Sequence, residues 1–173
     1  MAAAREPRSE YERTLALVHV QYELEMCAAS ATRAATPNGR DDIEANAYLE
    51  STLLHARNLY EFLVANRKSP RDDDLLRADF TRRDWSASEH APEAVRRLAT
   101  AIPDVNKHLS HLTWARVGDV AAAAWTPLQI ADDLAQLVRA WAIHLSAHDR
   151  GGVGVASRTL EGVAATVLRR SPG

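Results

Sequence analysis

The chain has 173 residues, 46% hydrophobic and 25% charged, which suits one globular domain with a single core. Its one cysteine, Cys27, excludes an internal disulfide, and the formal net charge of −2 argues against a uniformly basic nucleic-acid binder. The sequence is rich in alanine but has only seven glycines, which is typical of an all-helical fold.

We find neither a secretory signal nor a membrane-spanning segment in the sequence. The N-terminal residues Met1 to Arg8 become charged before an apolar segment develops, unlike a secretory signal. The longest apolar run, residues 120–125, is far shorter than the roughly 20 residues that a membrane-spanning helix needs. We therefore expect a cytoplasmic protein without a membrane partner.

A first helix is predicted from about Ser9 to Arg33. Ser9 is a suitable N-cap, and acidic residues follow it near the positive end of the helix dipole. One apolar stripe recurs at helical spacing and is expected to face the core: Tyr11, Leu15, Val18, Tyr22 and Met26. The turn-forming residues 36–39, Thr-Pro-Asn-Gly, end this helix.

A second, long helix is predicted over about Asp42 to Arg67, and Ser69-Pro70 ends it. Its apolar seam consists of Leu49, Leu53, Ala56, Tyr60 and Leu63. The charged connection 68–90 is expected to pack on the bundle, with a short helix over 72–80. Its predicted anchors are Leu75, Leu76, Phe80 and Trp85.

The third helix is predicted to begin near Pro92, because proline is favoured in a first turn. Pro103 is expected to kink it or to start a further helix that runs to about Arg116. The apolar stripe of that region is Ile102, Val105, Leu109 and Leu112.

The last strong helix has the clearest start in the chain. Thr126 as N-cap, Pro127 at the first position and Gln129 at the third form a capping box. Its stripe is Ile130, Leu134, Leu137 and Trp141, and it ends near Asp149. The predicted fold is an all-α, mostly antiparallel bundle of four to five helices. It is one domain with a core over about 9–149 and a weakly structured tail over 150–173.

Four histidines on three predicted helices suggest a metal site: His55, His108, His111 and His144. This distribution resembles helical DinB-like metalloproteins, which use histidines from different helices. However, no Glu-x-x-His ligand pair is present. The alternative is that these imidazoles bond to backbone or acidic groups at the bundle surface.

A second resemblance lies in the segment 105–113, Val-Asn-Lys-His-Leu-Ser-His-Leu-Thr. Asn106, Lys107, Ser110 and His111 resemble the Arg-x4–6-His motif of HEPN domains, helical domains of toxins, abortive-infection proteins and RNA-processing factors. The segment 54–61, Leu-His-Ala-Arg-Asn-Leu-Tyr-Glu, is also similar to the long core helix of some members. The likeness covers about residues 40–148.

The resemblance departs from the family at the arginine, because Val105 stands in its place. Active HEPN ribonucleases use that arginine to stabilise phosphate charge and the histidine as acid or base. Arg139 and His144 form a second Arg-x4-His match, although they lie about 140° apart on a helix. Arg57 is another source of a guanidinium, unless it simply pairs with Glu61 four residues on.

The resemblance implies a homodimeric, HEPN-like protein related to nucleic-acid-targeting toxin or defence systems. It implies His111 as acid or base, Asn106 as the group that orients His111 or the phosphate, and no metal or cofactor. RNA or an antitoxin-like protein would be the partner. The remaining candidate binding residues are Lys107, Arg57, Asn58 and Arg116. The alternatives are a non-catalytic interaction dimer and the metal-binding bundle.

Overall fold

A computed structural model of the protein describes residues 7–36, 42–65, 71, 73–80, 85–108, 125–148 and 153–170. They form α1 (Glu10–Ala35), α2 (Asp42–Leu63), a 3₁₀ turn (Arg77–Asp79), α3 (Ala87–His90), α4 (Pro92–His108), α5 (Pro127–His148) and α6 (Gly154–Arg170). These ranges contain no strand, which confirms the all-α prediction.

The start of α1 follows from its sequence. The Ser9 hydroxyl accepts a hydrogen bond from the backbone N–H of Glu12 at 3.2 Å, and the Glu12 carboxylate accepts one from the Ser9 N–H at 2.8 Å. This reciprocal capping box satisfies two N–H groups that a helix start would otherwise leave open. The predicted N-cap is therefore confirmed.

Two pairs of helices are antiparallel. The Cys27 thiol of α1 donates to the Thr52 carbonyl of α2 at 3.7 Å, while Glu23, one turn earlier, contacts His55, almost one turn later. Because the contacts advance in opposite directions along the two helices, α1 and α2 run antiparallel. The same argument applies to α4 and α5. Arg97 of α4 contacts Asp133 near the start of α5, while His90, which precedes α4, contacts His144 near the end of α5.

The predicted core stripes of α2 and α5 are correct, and the two helices contact each other in the core. The whole α5 stripe is buried: Ile130, Leu134, Leu137 and Trp141. In α2, Leu53, Ala56 and Leu63 are fully buried, with Leu49 and Tyr60 packed against the core. These residues recur with the helical period, so each helix buries one continuous face.

The predicted core face of α1 is wrong. The stripe of Tyr11, Leu15, Val18 and Tyr22 is exposed, and Met26 is only partly buried. A different face of the helix is buried: Leu17, Val20, Leu24, Cys27 and Ala31. Both faces have apolar residues at helical spacing, so periodicity alone did not distinguish them. The buried face is the one that packs against α2, α5 and α6.

The connection between α2 and α3 docks on the bundle as predicted, through the buried Phe80 and Trp85, but the predicted anchor Leu75 is wrong because it is 39% exposed, and Leu76 is only partly buried. The Phe80 ring meets those of Phe62 and Trp141 edge to face, with centroids 5.9 and 5.3 Å apart. The predicted short helix over 72–80 is wrong, because only the 3₁₀ turn forms. The Asp79 carboxylate instead accepts from the backbone N–H of Leu76 at 3.0 Å, a local bond that favours a turn.

Two further results concern α4 and the C-terminal tail. Pro103 lies inside α4, which continues to His108, so the alternative of a new helix at Pro103 is wrong. Leu98, Ile102 and Val105 are buried on both sides of Pro103. The 154–170 segment forms the 17-residue α6, a fuller helix than the weak one expected. Leu160 and Ala164 are buried against α1 and α5, so the core extends into this segment.

Candidate functional site

The leading candidate residues fall at and beyond the end of α4. Asn106, Lys107 and His108 lie in its last turn, but their side chains lie outside the described residues, as do His111 and Arg116. Val105 is 2% exposed and belongs to the hydrophobic core. The position that corresponds to the arginine of HEPN ribonucleases therefore serves packing.

Two of the candidate residues on α2, His55 and Asn58, form a polar cluster with Glu23 of α1, which we call the Glu23 cluster. One oxygen of the Glu23 carboxylate lies 2.8 Å from Nδ1 of His55 and accepts a hydrogen bond from the Asn58 amide at 3.1 Å. The edge of the His55 ring also meets Tyr22, with centroids 5.8 Å apart. His55 and Asn58 are thus held by one acid.

Arg57 does not join the Glu23 cluster. Its Nε donates to the Glu61 carboxylate at 2.9 Å, the i, i+4 pair anticipated as the alternative. A cavity of about 250 Å³ adjoins the Glu23 cluster, lined in part by His19, Glu61 and Asp74. Because the described residues that line this space include three carboxylates and no arginine or lysine, their charge suits a phosphate group poorly.

A second cluster joins α3 to the end of α5, and we call it the histidine cluster (His90, His144 and His148). The His144 and His148 rings stack with centroids 4.4 Å apart. His90 meets His144 edge to face at 6.1 Å and stacks on the buried Trp85 at 5.5 Å. The guanidinium of Arg77 lies 5.3 Å above the Trp85 ring, so aromatic and basic groups form one continuous column.

The backbone sets the tautomer of two of these rings. Nδ1 of His90 lies 2.9 Å from the Ser86 carbonyl, and Nδ1 of His148 lies 2.9 Å from the His144 carbonyl. A carbonyl oxygen only accepts hydrogen bonds, so each Nδ1 carries the hydrogen. When these rings are neutral, Nε2 is the nitrogen with a free lone pair, and both rings belong to exposed residues.

Arg139 reaches the same end of the bundle. It lines a groove of about 400 Å³ together with His90, Gln136 and Glu93. A hydrogen bond from Arg96 at 2.7 Å, together with its positive charge, holds the pKa of Glu93 below its ordinary value. Arg139 and His144 lie on different faces of α5, and His90 is near both because it lines the groove with Arg139 and its ring contacts His144.

Two of the four proposed metal ligands, His55 and His144, do not converge. His55 belongs to the Glu23 cluster and His144 to the histidine cluster, which share no residue. Within the described part of the chain, no group of three or more histidine, cysteine or acidic side chains has an arrangement that could hold a metal ion. The structure thus gives no support to a DinB-like site built on these two residues, while His108 and His111 are not described at the side-chain level.

Sequence reasoning missed His90 and His148. The i, i+4 spacing of His144 and His148 was a readable signal, because such residues are neighbours on one helical face. His90 had no such signal, since it reaches His144 only through the packing of α3 on α5. Glu23 was missed for the same reason, as its partners lie on another helix.

Comparison with known proteins found no relative from which a function can be inferred. The chain matches no family model, no curated protein and no solved structure. In the described ranges, none of the helices combines the length and the apolar character required to cross a membrane.

Proposed function

We propose that this protein is a HEPN-like helical bundle of the cytoplasm that binds RNA and cleaves it without a metal or a cofactor. The resemblance of the 105–113 segment supports the family, and the histidine cluster supports the chemistry. The single observation that carries the proposal is that Arg139 and the histidine cluster lie at one end of the bundle. A homodimer and an antitoxin-like partner belong to the same proposal.

Two rings of the histidine cluster, His90 and His148, would supply the acid and the base that phosphodiester transesterification needs, because both belong to exposed residues. A neutral imidazole accepts the proton of the RNA 2′-hydroxyl at Nε2, and the 2′-oxygen attacks phosphorus. The bond to the 5′-oxygen breaks, and an imidazolium donates the proton that this leaving oxygen takes up. The products are a 2′,3′-cyclic phosphate and a free 5′-hydroxyl, so atoms and charge balance without another reactant.

Arg139 would stabilise the negative charge that develops on the phosphoryl oxygens. Its groove adjoins His90, and the nearby Glu93 carboxylate is already occupied by Arg96. The column of Trp85 and Arg77 continues from His90 toward the 3₁₀ turn. These local cations matter because the whole chain, with a net charge of −2, has no excess positive charge to attract RNA.

The test is cleavage of a labelled oligoribonucleotide by the purified protein in EDTA. We expect cyclic-phosphate products from the wild type and a loss of at least tenfold in rate for Arg139→Ala and His148→Ala. His19→Ala is the matched control, because His19 is an exposed histidine on another face of the bundle. His111→Ala is included because the resemblance makes His111 the acid or base.

Each outcome has a defined meaning. Loss of cleavage in Arg139→Ala and His148→Ala, with His19→Ala unchanged, supports the histidine cluster. Loss only in His111→Ala retains the HEPN-like enzyme but moves catalysis to the 105–113 segment, which contradicts the histidine-cluster assignment. No cleavage by the wild type, or equal rates in all variants, overturns the enzyme.

A non-catalytic interaction protein is the second candidate, and Val105 favours it. A buried valine at the position of the family's arginine neither stabilises phosphate charge nor faces solvent. Under this alternative the fold is retained as a binding module, and RNA remains intact. Binding of a fluorescent oligoribonucleotide without turnover, weakened by Arg139→Ala, would distinguish it from a ribonuclease.

A further inference from the structure

An exposed apolar stripe runs along α1 on the side away from its core face. Tyr11 is 72% exposed, Leu15 46%, Val18 57% and Tyr22 51%. Isolated exposed apolar residues are ordinary, but four large ones on one helical face form a contiguous patch, and such patches mark interaction surfaces. The stripe lies apart from the histidine cluster, which is built on α3 and α5.

The spacing of the stripe identifies the kind of partner that fits it. Successive members are separated by four, three and four residues, which is the heptad spacing of a helix that packs lengthwise on another helix. The order four, three, four is the same in both directions along the chain. An antiparallel second copy of α1 therefore presents a matching stripe, with Tyr11 opposite Tyr22 and Leu15 opposite Val18 of the other copy.

The charges at the ends of the stripe agree with this pairing. Arg8, three residues before Tyr11, precedes the Ser9 N-cap and contacts Glu12 at 3.8 Å. Glu25, three residues after Tyr22, accepts a hydrogen bond from Gln21 at 2.9 Å, and both Arg8 and Glu25 are exposed. An antiparallel pair brings each Arg8 to the end of α1 where Glu25 of the other copy lies, so opposite charges meet at both ends when these local contacts are exchanged. A parallel pair would instead place like charges together.

We propose that this stripe is a homodimer interface in which two copies of α1 pack antiparallel about a twofold axis. A twofold interface uses the same surface on both copies, as this palindromic stripe does. The exposed side chains supply on the order of 400 Å² per copy, about half of a standard interface. The expected dimer is therefore weak and forms over roughly 10–500 µM chain.

Sedimentation velocity over that concentration range tests the interface. The wild type is expected to shift from monomer to dimer, and Val18→Glu to remain monomeric with an unchanged circular dichroism spectrum. Val155→Glu is the matched control, because this residue of α6 is also an exposed valine, 69% accessible. A wild type that is monomeric throughout, or a dimer that Val18→Glu leaves intact, overturns the proposal.

Charge reversal and cross-linking test the orientation. Arg8→Glu is expected to weaken the dimer at least threefold, and the double variant Arg8→Glu/Glu25→Arg to restore it. A mixture of Tyr11→Cys and Tyr22→Cys proteins should form mixed disulfides, whereas Tyr11→Cys alone should not, because its two copies lie about 16 Å apart in an antiparallel pair. The buried Cys27 does not compete in this reaction.

Two results would contradict the antiparallel geometry. The first is disulfide formation by Tyr11→Cys alone at a rate equal to the mixture, and the second is no recovery in the charge-exchanged double variant. These readouts are independent of RNA cleavage, so failure of the interface and failure of the proposed enzyme are distinguishable.

Discussion

Truncation of Phe80 should reveal how much the connection between α2 and α3 contributes to stability. Phe80 is 1% exposed and packs edge to face on Phe62 and Trp141. Phe80→Ala removes roughly 150 Å² of buried apolar surface, which at about 25 cal/mol per Å² gives a loss of about 4 kcal/mol. This lies within the ~3–5 kcal/mol range of buried phenylalanine truncations.

The assay is urea unfolding followed by circular dichroism, with a thermal melt beside it. A loss of about 4 kcal/mol in the free energy of unfolding corresponds to a fall of about 8–16 °C in Tm for a chain of this size. Leu75→Ala is the matched control, because Leu75 lies in the same connection but is 39% exposed. If Phe80→Ala costs less than about 1 kcal/mol, or no more than Leu75→Ala, the connection does not anchor on the core as described.

Three further predictions concern α1, the buried thiol and the ion pair of α4. Burial raises the pKa of the Cys27 thiol from 9.0 to about 12, so the unfolded chain loses this proton at a lower pH than the folded protein. The free energy of unfolding should therefore fall as pH rises between these two values. Urea midpoints measure this fall, which should be smaller in Cys27→Ala. Arg97→Met should lower the urea midpoint more than Arg96→Met, because Arg97 holds the buried Asp133 carboxylate and Arg96 lies at the surface; equal shifts would contradict this. Ser9→Ala should cost about 1 kcal/mol by loss of the cap, and an unchanged Tm would show that the cap contributes nothing.

Local signals in the sequence determined where several helices begin. The Ser9 cap lies at the start of α1, and Pro127 opens α5 as predicted. These features depend on hydrogen bonds and backbone angles within one helical turn. All the interacting residues are therefore neighbours in the sequence and can be recognised there. The same holds for the core faces of α2 and α5, whose opposite faces carry enough polar residues to be distinguished.

The functional clusters depend on contacts that no local pattern encodes. Glu23 meets His55 at 2.8 Å across two helices, and His90 meets His144 through the docking of α3. Sequence spacing showed which histidines share a helix but not which helices bring their faces together. This is why Arg139 and His144, separated on one helix, became part of one region only through His90.

The clearest division between sequence and structure lies in α1. The apolar residues at helical spacing were enough to predict a helix near residues 9–33. They did not show which face is buried: in the folded protein Leu17 and Leu24 pack in the core, while Leu15 and Tyr22 face outward. Periodicity is a property of one helix, whereas burial depends on the surfaces of its neighbours.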